Sequence, residues 1–300
     1  MNQPRHASQP SRSGSEDMET GAGAGRVVGA FTTSHSPGIT GFPERAEPEQ
    51  RSAVEGAFGD VRDRIEKLAP DAVIAVSVEH FTNFFLGNLP AFAIGTAASY
   101  LGPVTKEMGE FLGVPQHHYP GHAALGDHLY RFALEADFDP ALVEGGLAFD
   151  ENFCVPLKHL DPESTLPLVP VIVNGVNPPW PTARRCYDFG RMIRAAVEAQ
   201  SSAQRVVVLG TGGLSHWVGM PESGQVNEEF DRDFLARLES GERSRLIDYT
   251  QEQIDAAGNG AHEIRTWLVA AGAAGVPFDT LVYEPVPAWL TGTAVAAARL

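Results

Sequence analysis

The sequence is poor in cysteine and in long apolar runs, and each shortage excludes a class of protein. Only two cysteines, Cys154 and Cys186, occur in 300 residues, which excludes a disulfide framework and indicates a reducing compartment. No CxxC or Cys/His spacing surrounds them, so we expect both in the core and not at a metal site. No run of about eighteen apolar residues occurs, so we expect no transmembrane helix.

Positive charge is also scarce. The chain has 22 Lys and Arg against 38 Asp and Glu, a formal net charge of −16. This balance argues against nucleic acid or an anionic membrane as the main partner. Residues 1–25 are rich in Ser, Gly and Pro, lack the apolar segment of a signal peptide and are predicted to form a disordered tail. Residues 26–300 are predicted to form one catalytic domain, located in the cytoplasm.

Beyond the tail, apolar strand-like segments alternate with amphipathic helical segments. The predicted strands are 26–35, 71–80, 164–176 and 204–213, and 88–95 is a strand or a loop leading into one. The predicted helices are 52–70, 122–136, 183–200, 227–241 and 258–275. This alternation predicts a single α/β domain with a central, mostly parallel or mixed sheet and helices on both faces.

Three of the predicted strands run into a histidine: His35, His80 and His216. Open α/β sheets bind their ligands at the carboxyl ends of the strands, so we expect these side chains to meet. Two histidines and one carboxylate form the facial triad of non-haem Fe(II) oxygenases, and the same set can hold catalytic zinc. His35 and His80 are the predicted metal pair. The alternative for each is a strand-end histidine bonded to the backbone.

Spacing alone does not choose the carboxylate that would complete such a site. The candidates are Glu79, Asp231, Glu263 and Glu284. Glu79 is adjacent to His80 and should point to the opposite side of an extended segment. Glu263 lies in a predicted helix, and Glu284 is placed in a loop before Pro285. His216 follows a glycine turn, and a histidine that is not a ligand can transfer protons near neutral pH.

Five segments together carry a family resemblance. They are TTSHSPGITGF (32–42), EHFTNFFLGNLPAFAIG (79–95), GTGGLSHW (210–217), NEEFD (227–231) and HEIRTWLVAAGA (262–273). In this order they resemble the class III extradiol ring-cleavage dioxygenases, the superfamily of the protocatechuate 4,5-dioxygenase beta subunit and 2,3-dihydroxyphenylpropionate 1,2-dioxygenase. The resemblance extends from about Val27 to about Thr291.

The resemblance implies an activity and a role for each residue. It makes His35, His80 and Glu263 the ligands of Fe(II), with Glu263 in the same helix as Trp267 and ahead of it. It makes His216 the catalytic acid and base beside O₂. The implied reaction inserts O₂ into a catechol-type ring and opens the ring beside the diol. Four phenylalanines are candidate walls of a ring pocket: Phe81, Phe84, Phe85 and Phe92.

One segment departs from the family pattern. Many members carry a second catalytic histidine in an Asp-His-Gly stretch, whereas AFDENFCVPL (148–157) has Glu151 at that position. Glu151 is a candidate catalytic residue if burial raises its pKa; otherwise it binds a cationic substrate or marks an altered activity. A substitute proton carrier could come from a further set of histidines: His117, His118, His122 and His159.

Several alternatives stay open. The chain could cleave an aminophenol or a dihydroxypyridine, bind a ligand without catalysis, or be a zinc hydrolase on the same ligand set. The ring substituents and the side of cleavage are not fixed by the sequence. The segment YEPVPAWLTG (283–292) resembles that of single-subunit members. We therefore expect a homo-oligomer, with a small alpha subunit, which some relatives need, as the alternative.

Overall fold

The computed structural model describes residues 24–300, so the predicted tail lies almost wholly outside the described residues. The strands in this range are β1 (Arg26–Thr33), β2 (Ala72–Ser77), β3 (Phe92–Gly95), β4 (Ser99–Gly102), β5 (His117–Pro120), β6 (Ala141–Val143), β7 (Leu168–Val173), β8 (Arg205–Thr211), β9 (Phe278–Val286) and β10 (Thr291–Ala298). The helices are α1 (Gly38–Gly41), α2 (Pro48–Leu68), α3 (Lys106–Leu112), α4 (Ala123–Glu135), α5 (Glu151–Leu160), α6 (Ala183–Glu198), α7 (Glu228–Ser240), α8 (Arg243–Leu246), α9 (Gln251–Asp255) and α10 (Ile264–Ala274). Short 3₁₀ turns cover Pro43–Arg45, Asn259–Glu263 and Pro287–Trp289.

Eight of these strands form one mixed sheet in the order β6-β3-β7-β2-β8-β1-β10-β9. Its centre is parallel, because β7, β2, β8 and β1 pair in the same direction. The β9–β10 hairpin adds to β1 antiparallel, and β3 pairs antiparallel with β7. Strands β4 and β5 form a separate antiparallel pair. The prediction of a mixed α/β sheet is confirmed.

Helices cover both faces of the sheet, and the central strands are apolar on both sides for that reason. Along β2, Ile74 and Val76 pack into one core while Val73 packs into the other. Helices α4, α6, α7 and α10 contribute to the first core, and α1, α2, α3 and α5 to the second. The two cysteines are free and buried, Cys186 in the first core and Cys154 in the second, as predicted.

The C-terminal region differs from the prediction. Glu284 does not lie in a loop but in β9, where it pairs in register with Thr293 of β10. β9 is an edge strand of the sheet, which is the position where a sheet tolerates a proline such as Pro285. Within residues 24–300, no helix combines the length and the apolar character needed to cross a bilayer.

Candidate active site

The three strands that precede the histidines are neighbours. β8 pairs in parallel with β1 on one side and with β2 on the other, so their carboxyl ends lie together at one edge of the sheet. His35, His80 and His216 follow these strands by a few residues, and their side chains converge there. The expectation that they meet is confirmed.

The carboxylate comes from a 3₁₀ turn, where the sequence had predicted the start of a helix over 258–275. Glu263 ends the 3₁₀ turn that leads into α10, and the Glu263 carboxylate lies between the imidazoles. Its Oε2 is 3.2 Å from His35 Nε2, and its Oε1 is 3.4 Å from His80 Nε2. In α10, Trp267 Nε1 donates to the Gly212 carbonyl at 3.2 Å, which ties the helix to the turn after β8.

The other candidate carboxylates are occupied elsewhere. Glu79 turns away from His80, as expected, and its carboxylate accepts three backbone N–H groups at 2.7 to 3.0 Å. Asp231 accepts the Ser215 N–H at 2.8 Å and the Tyr283 hydroxyl at 2.9 Å. Glu284 lies in β9. Of the four candidates, all within the described residues, Glu263 is the one whose carboxylate lies beside the three histidines.

Neighbouring groups fix which nitrogen of His35 faces the site. His35 Nδ1 lies 2.9 Å from the Thr211 hydroxyl. That hydroxyl donates its own proton to the Asn152 carbonyl at 2.6 Å. It must therefore accept from His35, which places the proton on Nδ1 and leaves the Nε2 lone pair towards Glu263.

His80 is oriented by a buried carboxylate. Its Nδ1 lies 3.2 Å from Asp150 Oδ1, and its backbone N–H donates to Asp150 Oδ2 at 2.9 Å. Asp150 also accepts the Asn152 N–H at 2.8 Å and the Thr82 hydroxyl at 3.1 Å. This is the carboxylate–histidine arrangement that orients metal-binding imidazoles. Sequence reasoning missed Asp150 and Thr211 because neither stands next to its histidine in the chain.

The donor set fits a divalent cation. His35, His80 and Glu263 offer ligand atoms that all lie within 4.8 Å of one another. His35 Nε2 is buried without a hydrogen-bond partner, although the Glu263 carboxylate is 3.2 Å away. Such an orphaned lone pair is costly unless a cation or proton satisfies it. Two imidazoles and one carboxylate with an open side are the donor set of non-haem Fe(II) and catalytic Zn sites.

The electrostatics of the cluster favour positive charge. Burial opposes ionisation of Glu263, but the electrostatic attraction of the neighbouring His35 and His216 rings outweighs it and holds the pKa of this carboxyl well below its usual range. Burial also opposes protonation of His80, yet Glu151 and Asp150 raise the pKa of this imidazole well above its usual value. The cluster therefore stabilises either protons or a cation.

A second set of donors shares His80. Asp150, Glu151 and His80 Nδ1 also lie within reach of one another. However, both oxygens of Asp150 already accept hydrogen bonds, four donors in all including His80 Nδ1. The set that contains Glu263 is the better cation site, because His35 Nε2 makes no hydrogen bond and the Glu263 carboxylate accepts one backbone N–H, from Gly213.

His216 lies beside the ligand set, and its Nε2 faces the set as the Nε2 atoms of His35 and His80 do. Its Nδ1 donates to the Leu214 carbonyl at 3.0 Å, and its Nε2 is 3.6 Å from Glu263 Oε1. The glycines around it make room for the ring. A Cβ on Gly213 would lie 2.7 Å from Cε1 of His216, and a Cβ on Gly260 would overlap the ring.

The four nitrogen and oxygen groups open into a cavity of about 280 Å³, near the lower end of small-molecule sites. Its walls include the aromatic and apolar side chains of Trp217, Val218, Trp289 and Leu290. None of the four predicted phenylalanines lines it. Phe92 instead stacks on Phe189 in the core, 4.2 Å between ring centroids, so that prediction was wrong.

Glu151 does reach the cavity. It is the first residue of α5, its side chain is 17% exposed, and its Oε1 lies 3.3 Å from His80 Nδ1. The alternative proton carriers do not line the cavity. Two of them, His117 and His118, lie on β5, and His159 stacks on Phe58 in the second core at 4.8 Å between centroids.

Comparisons with known proteins agree with this geometry. Residues 29–294 match the family model described as the catalytic LigB subunit of aromatic ring-opening dioxygenase. Two curated relatives are named 2,3-dihydroxyphenylpropionate/2,3-dihydroxicinnamic acid 1,2-dioxygenase. The one from Cupriavidus necator is 29% identical, and the one from Paraburkholderia xenovorans (strain LB400) is 30% identical. Each alignment covers 89% of this chain and 96% of the relative.

A solved structure shares the fold. The crystal structure of an uncharacterized Escherichia coli K12 protein superposes with a TM-score of 0.57 at 16% identity. The superposition covers 90% of this chain and 99% of that one. At this identity, the likeness concerns the fold alone.

Proposed function

This chain belongs to the family of catalytic LigB subunits of aromatic ring-opening dioxygenases, and we propose that His35, His80 and Glu263 hold Fe(II) for its reaction. The protein is an extradiol ring-cleaving dioxygenase, and an aromatic diol and O₂ are its substrates. The observation that carries the proposal for iron is the convergence of two imidazole Nε2 atoms and one carboxylate at the lining of a cavity.

The metal would supply what the side chains lack. Fe(II), when bound, provides the redox step with O₂, which no side chain of the cavity can provide and which Zn²⁺ would not. Family membership therefore favours iron over the zinc hydrolase that the same ligands would allow. Asp150 and Thr211 hold the two imidazoles in the tautomer that leaves Nε2 free to coordinate.

We assign proton transfer to His216. The Leu214 carbonyl holds the proton on Nδ1, so Nε2 is free to take a proton from a hydroxyl of the bound diol and to return it during ring opening. Its ring lines the cavity beside the ligand set without being part of it. Glu151, on the opposite side of His80, is proposed as a second group in contact with the substrate.

The test is anaerobic reconstitution with Fe(II), followed by oxygen uptake with catechol, protocatechuate, gallate, 2,3-dihydroxyphenylpropionate and an aminophenol. The proposal predicts one iron per chain and one O₂ consumed per yellow ring-opened product. The His216→Ala variant should keep its iron and lose about 10²- to 10⁴-fold in turnover. Tight zinc binding with no oxygen uptake on the panel would overturn the proposal.

We also propose that the chain works as a cytoplasmic homo-oligomer without a covering subunit. Trp289 and Leu290, from its own C-terminal region, already wall the cavity. Light scattering on the iron-loaded protein, together with activity in the absence of any second polypeptide, tests this. A monomer, or an inactive protein rescued by a second chain, would contradict it.

A further inference from the structure

The cavity contains a second carboxylate, Glu151, beside the proposed metal ligand His80. Glu151 projects into it from the start of α5, beside His80. Among residues 24–300, this carboxylate makes no hydrogen bond, because the nearby His80 Nδ1 proton is directed to Asp150 at 3.2 Å. Its lone pairs are therefore available to a ligand, and a partly buried carboxylate without a donor is costly.

With a metal bound, His80 would be a neutral ligand, so no cationic side chain of the cavity wall would then balance Glu151. The lining contributed by the described residues contains neither lysine nor arginine. Beyond the histidines and Glu263 it consists of aromatic, apolar and small side chains, chiefly Trp217, Val218, Trp289 and Leu290. The two positive charges of a divalent metal would be balanced by Glu263 and by a singly ionised diol. The negative charge of Glu151 would then remain to interact with a substituent on the ring.

The helix that carries Glu151 offers no anion site either. The positive end of the α5 dipole is capped by Asp150, whose side chain accepts the Asn152 N–H at 2.8 Å. Asp150 and Glu151 thus place two carboxylates at the end of the helix where a substrate anion would otherwise bind.

One arginine lies in an adjoining groove. That groove shares Ser36, Pro37, Trp289 and Leu290 with the cavity and includes Arg45. The Arg45 guanidinium lies over the Phe42 ring, 4.2 Å from its centroid, and does not line the cavity. A carboxylate on a long substituent would have to extend out of the cavity to reach it.

From these observations we infer that the cavity selects a catechol whose substituent carries no carboxylate, with preference for a protonated amine, and that Glu151 sets this preference. The inference rests on the proposed function, and it distinguishes this chain from relatives named for a substrate that bears a propionate. Trp217 and Trp289, which line the cavity, are compatible with a preference for an amine, because an aromatic face also stabilises a nearby ammonium group.

The test uses three catechols with the same ring and the same arm length. They are 2,3-dihydroxyphenylpropionate, its neutral amide, and 3-(3-aminopropyl)catechol. Each is titrated anaerobically into the Fe(II)-loaded protein by calorimetry, so that the dissociation constant is measured without turnover. Oxygen uptake then gives kcat/KM for the same three compounds. The proteins are the wild type, Glu151→Gln, which keeps the shape without the charge, and Arg45→Gln as the matched control.

We expect the amine to bind most tightly and the carboxylate most weakly. The attraction or repulsion of one unit charge a few ångströms away should separate amine from carboxylate by roughly 10- to 100-fold in the wild type. Glu151→Gln should reduce this ratio at least tenfold, whereas Arg45→Gln should leave it within about threefold of the wild type.

Three results would overturn the inference. One is a carboxylate that binds as tightly as the amide in the wild type, the second is an unchanged ratio in Glu151→Gln, and the third is a carboxylate affinity that falls in Arg45→Gln. Failure of the proposed function is a separate outcome. In that case no compound supports oxygen uptake, while the anaerobic binding order can still hold.

Discussion

Two adjacent residues, His262 and Glu263, belong to two clusters of similar composition on opposite sides of one 3₁₀ turn. The open cluster consists of Glu263 with three histidines, His35, His80 and His216, and it faces the cavity. The closed cluster consists of His262 with Asp255, Gln251, Arg265 and Trp180, and it does not line that cavity. Both combine imidazole and carboxylate groups, so residue type alone does not separate a reactive site from a structural one.

In the closed cluster both ring nitrogens of His262 have hydrogen-bond partners. His262 Nε2 lies 2.8 Å from Asp255 Oδ1, and Nδ1 accepts from Arg265 Nη1 at 2.6 Å. The ring stacks on Trp180, with centroids 3.9 Å apart. Burial and the Arg265 charge lower the pKa of His262 to about 4, so it is a neutral member of a completed network.

In the open cluster the pattern is reversed. Each Nδ1 has a partner that fixes the ring, while the Nε2 atoms point towards Glu263 and, for His35, lack a hydrogen bond. The difference teaches that uncommitted lone pairs beside a cavity identify the functional site.

The largest expected effect comes from the carboxylate of each cluster. Glu263→Gln removes the anionic ligand, so Fe(II) affinity should fall by at least about 100-fold, beyond the usual loss for a supporting residue. Asp255→Asn, the matched change in the closed cluster, should leave it within about threefold. Anaerobic equilibrium dialysis with iron analysis measures both. Equal iron affinity in Glu263→Gln and wild type would break the distinction between the clusters.

A smaller effect should follow from Thr211→Val. This change keeps the side-chain shape but removes the acceptor of the His35 Nδ1 proton, so the tautomer and the ring orientation are no longer fixed. Iron affinity should fall by about 10- to 100-fold. Thr211→Ser, which retains the hydroxyl, should restore most of it. If Val and Ser behave alike, the hydroxyl does not orient His35.

A substitution in the closed cluster should lower the stability of the protein and leave iron binding unchanged. His262→Ala removes the acceptor of Arg265 Nη1 and the stacking partner of Trp180, which should cost about 3 kcal/mol in the free energy of unfolding. Urea denaturation of the metal-free protein measures this. Iron stoichiometry should stay at one per chain. A loss of iron without a loss of stability would reverse the roles of the two clusters.

The smallest effect concerns the loop that carries His216. Asp231 binds Ser215 N and Oγ, and burial, opposed in part by these hydrogen bonds, raises the pKa of Asp231 to about 6. Because the native carboxyl holds its proton more tightly than the unfolded chain does, its contribution to stability is complete below about pH 4 and is lost as pH rises through about 6. The stability of wild type relative to Asp231→Asn should therefore fall by about 2 kcal/mol over this range.

Urea denaturation of both proteins at a series of pH values checks this prediction. Asp63→Asn, a change at an exposed residue of α2, serves as the control and should follow the wild type. A difference between wild type and Asp231→Asn that does not vary with pH would show that Asp231 does not take up a proton on folding in this range.

The parts of the fold that sequence reasoning predicted are those set by local pattern. The apolar runs of β1, β2 and β8 predicted three parallel strands and the meeting of His35, His80 and His216 at their ends. The β9–β10 hairpin was not predicted, because half of β10 is alanine, which carries little strand signal.

The remainder depends on contacts between distant segments. Glu263 was singled out through the family resemblance and not by spacing, since it reaches the histidines from the 3₁₀ turn before α10, far along the chain from His35 and His80. The orienting roles of Asp150 and Thr211 arise from hydrogen bonds between segments far apart in the chain. The cavity walls were misassigned to four phenylalanines, because an aromatic residue near a motif can equally lie in the core, as Phe92 does, or at the surface, as Phe81 and Phe85 do.

The most direct test of the central claim is anomalous diffraction at the iron edge from crystals grown anaerobically with Fe(II). We expect one strong peak per chain, within bonding distance of His35 Nε2, His80 Nε2 and the Glu263 carboxylate. A peak on the other side of His80, between Nδ1 and the carboxylates of Asp150 and Glu151, would contradict it, and so would crystals without an iron peak.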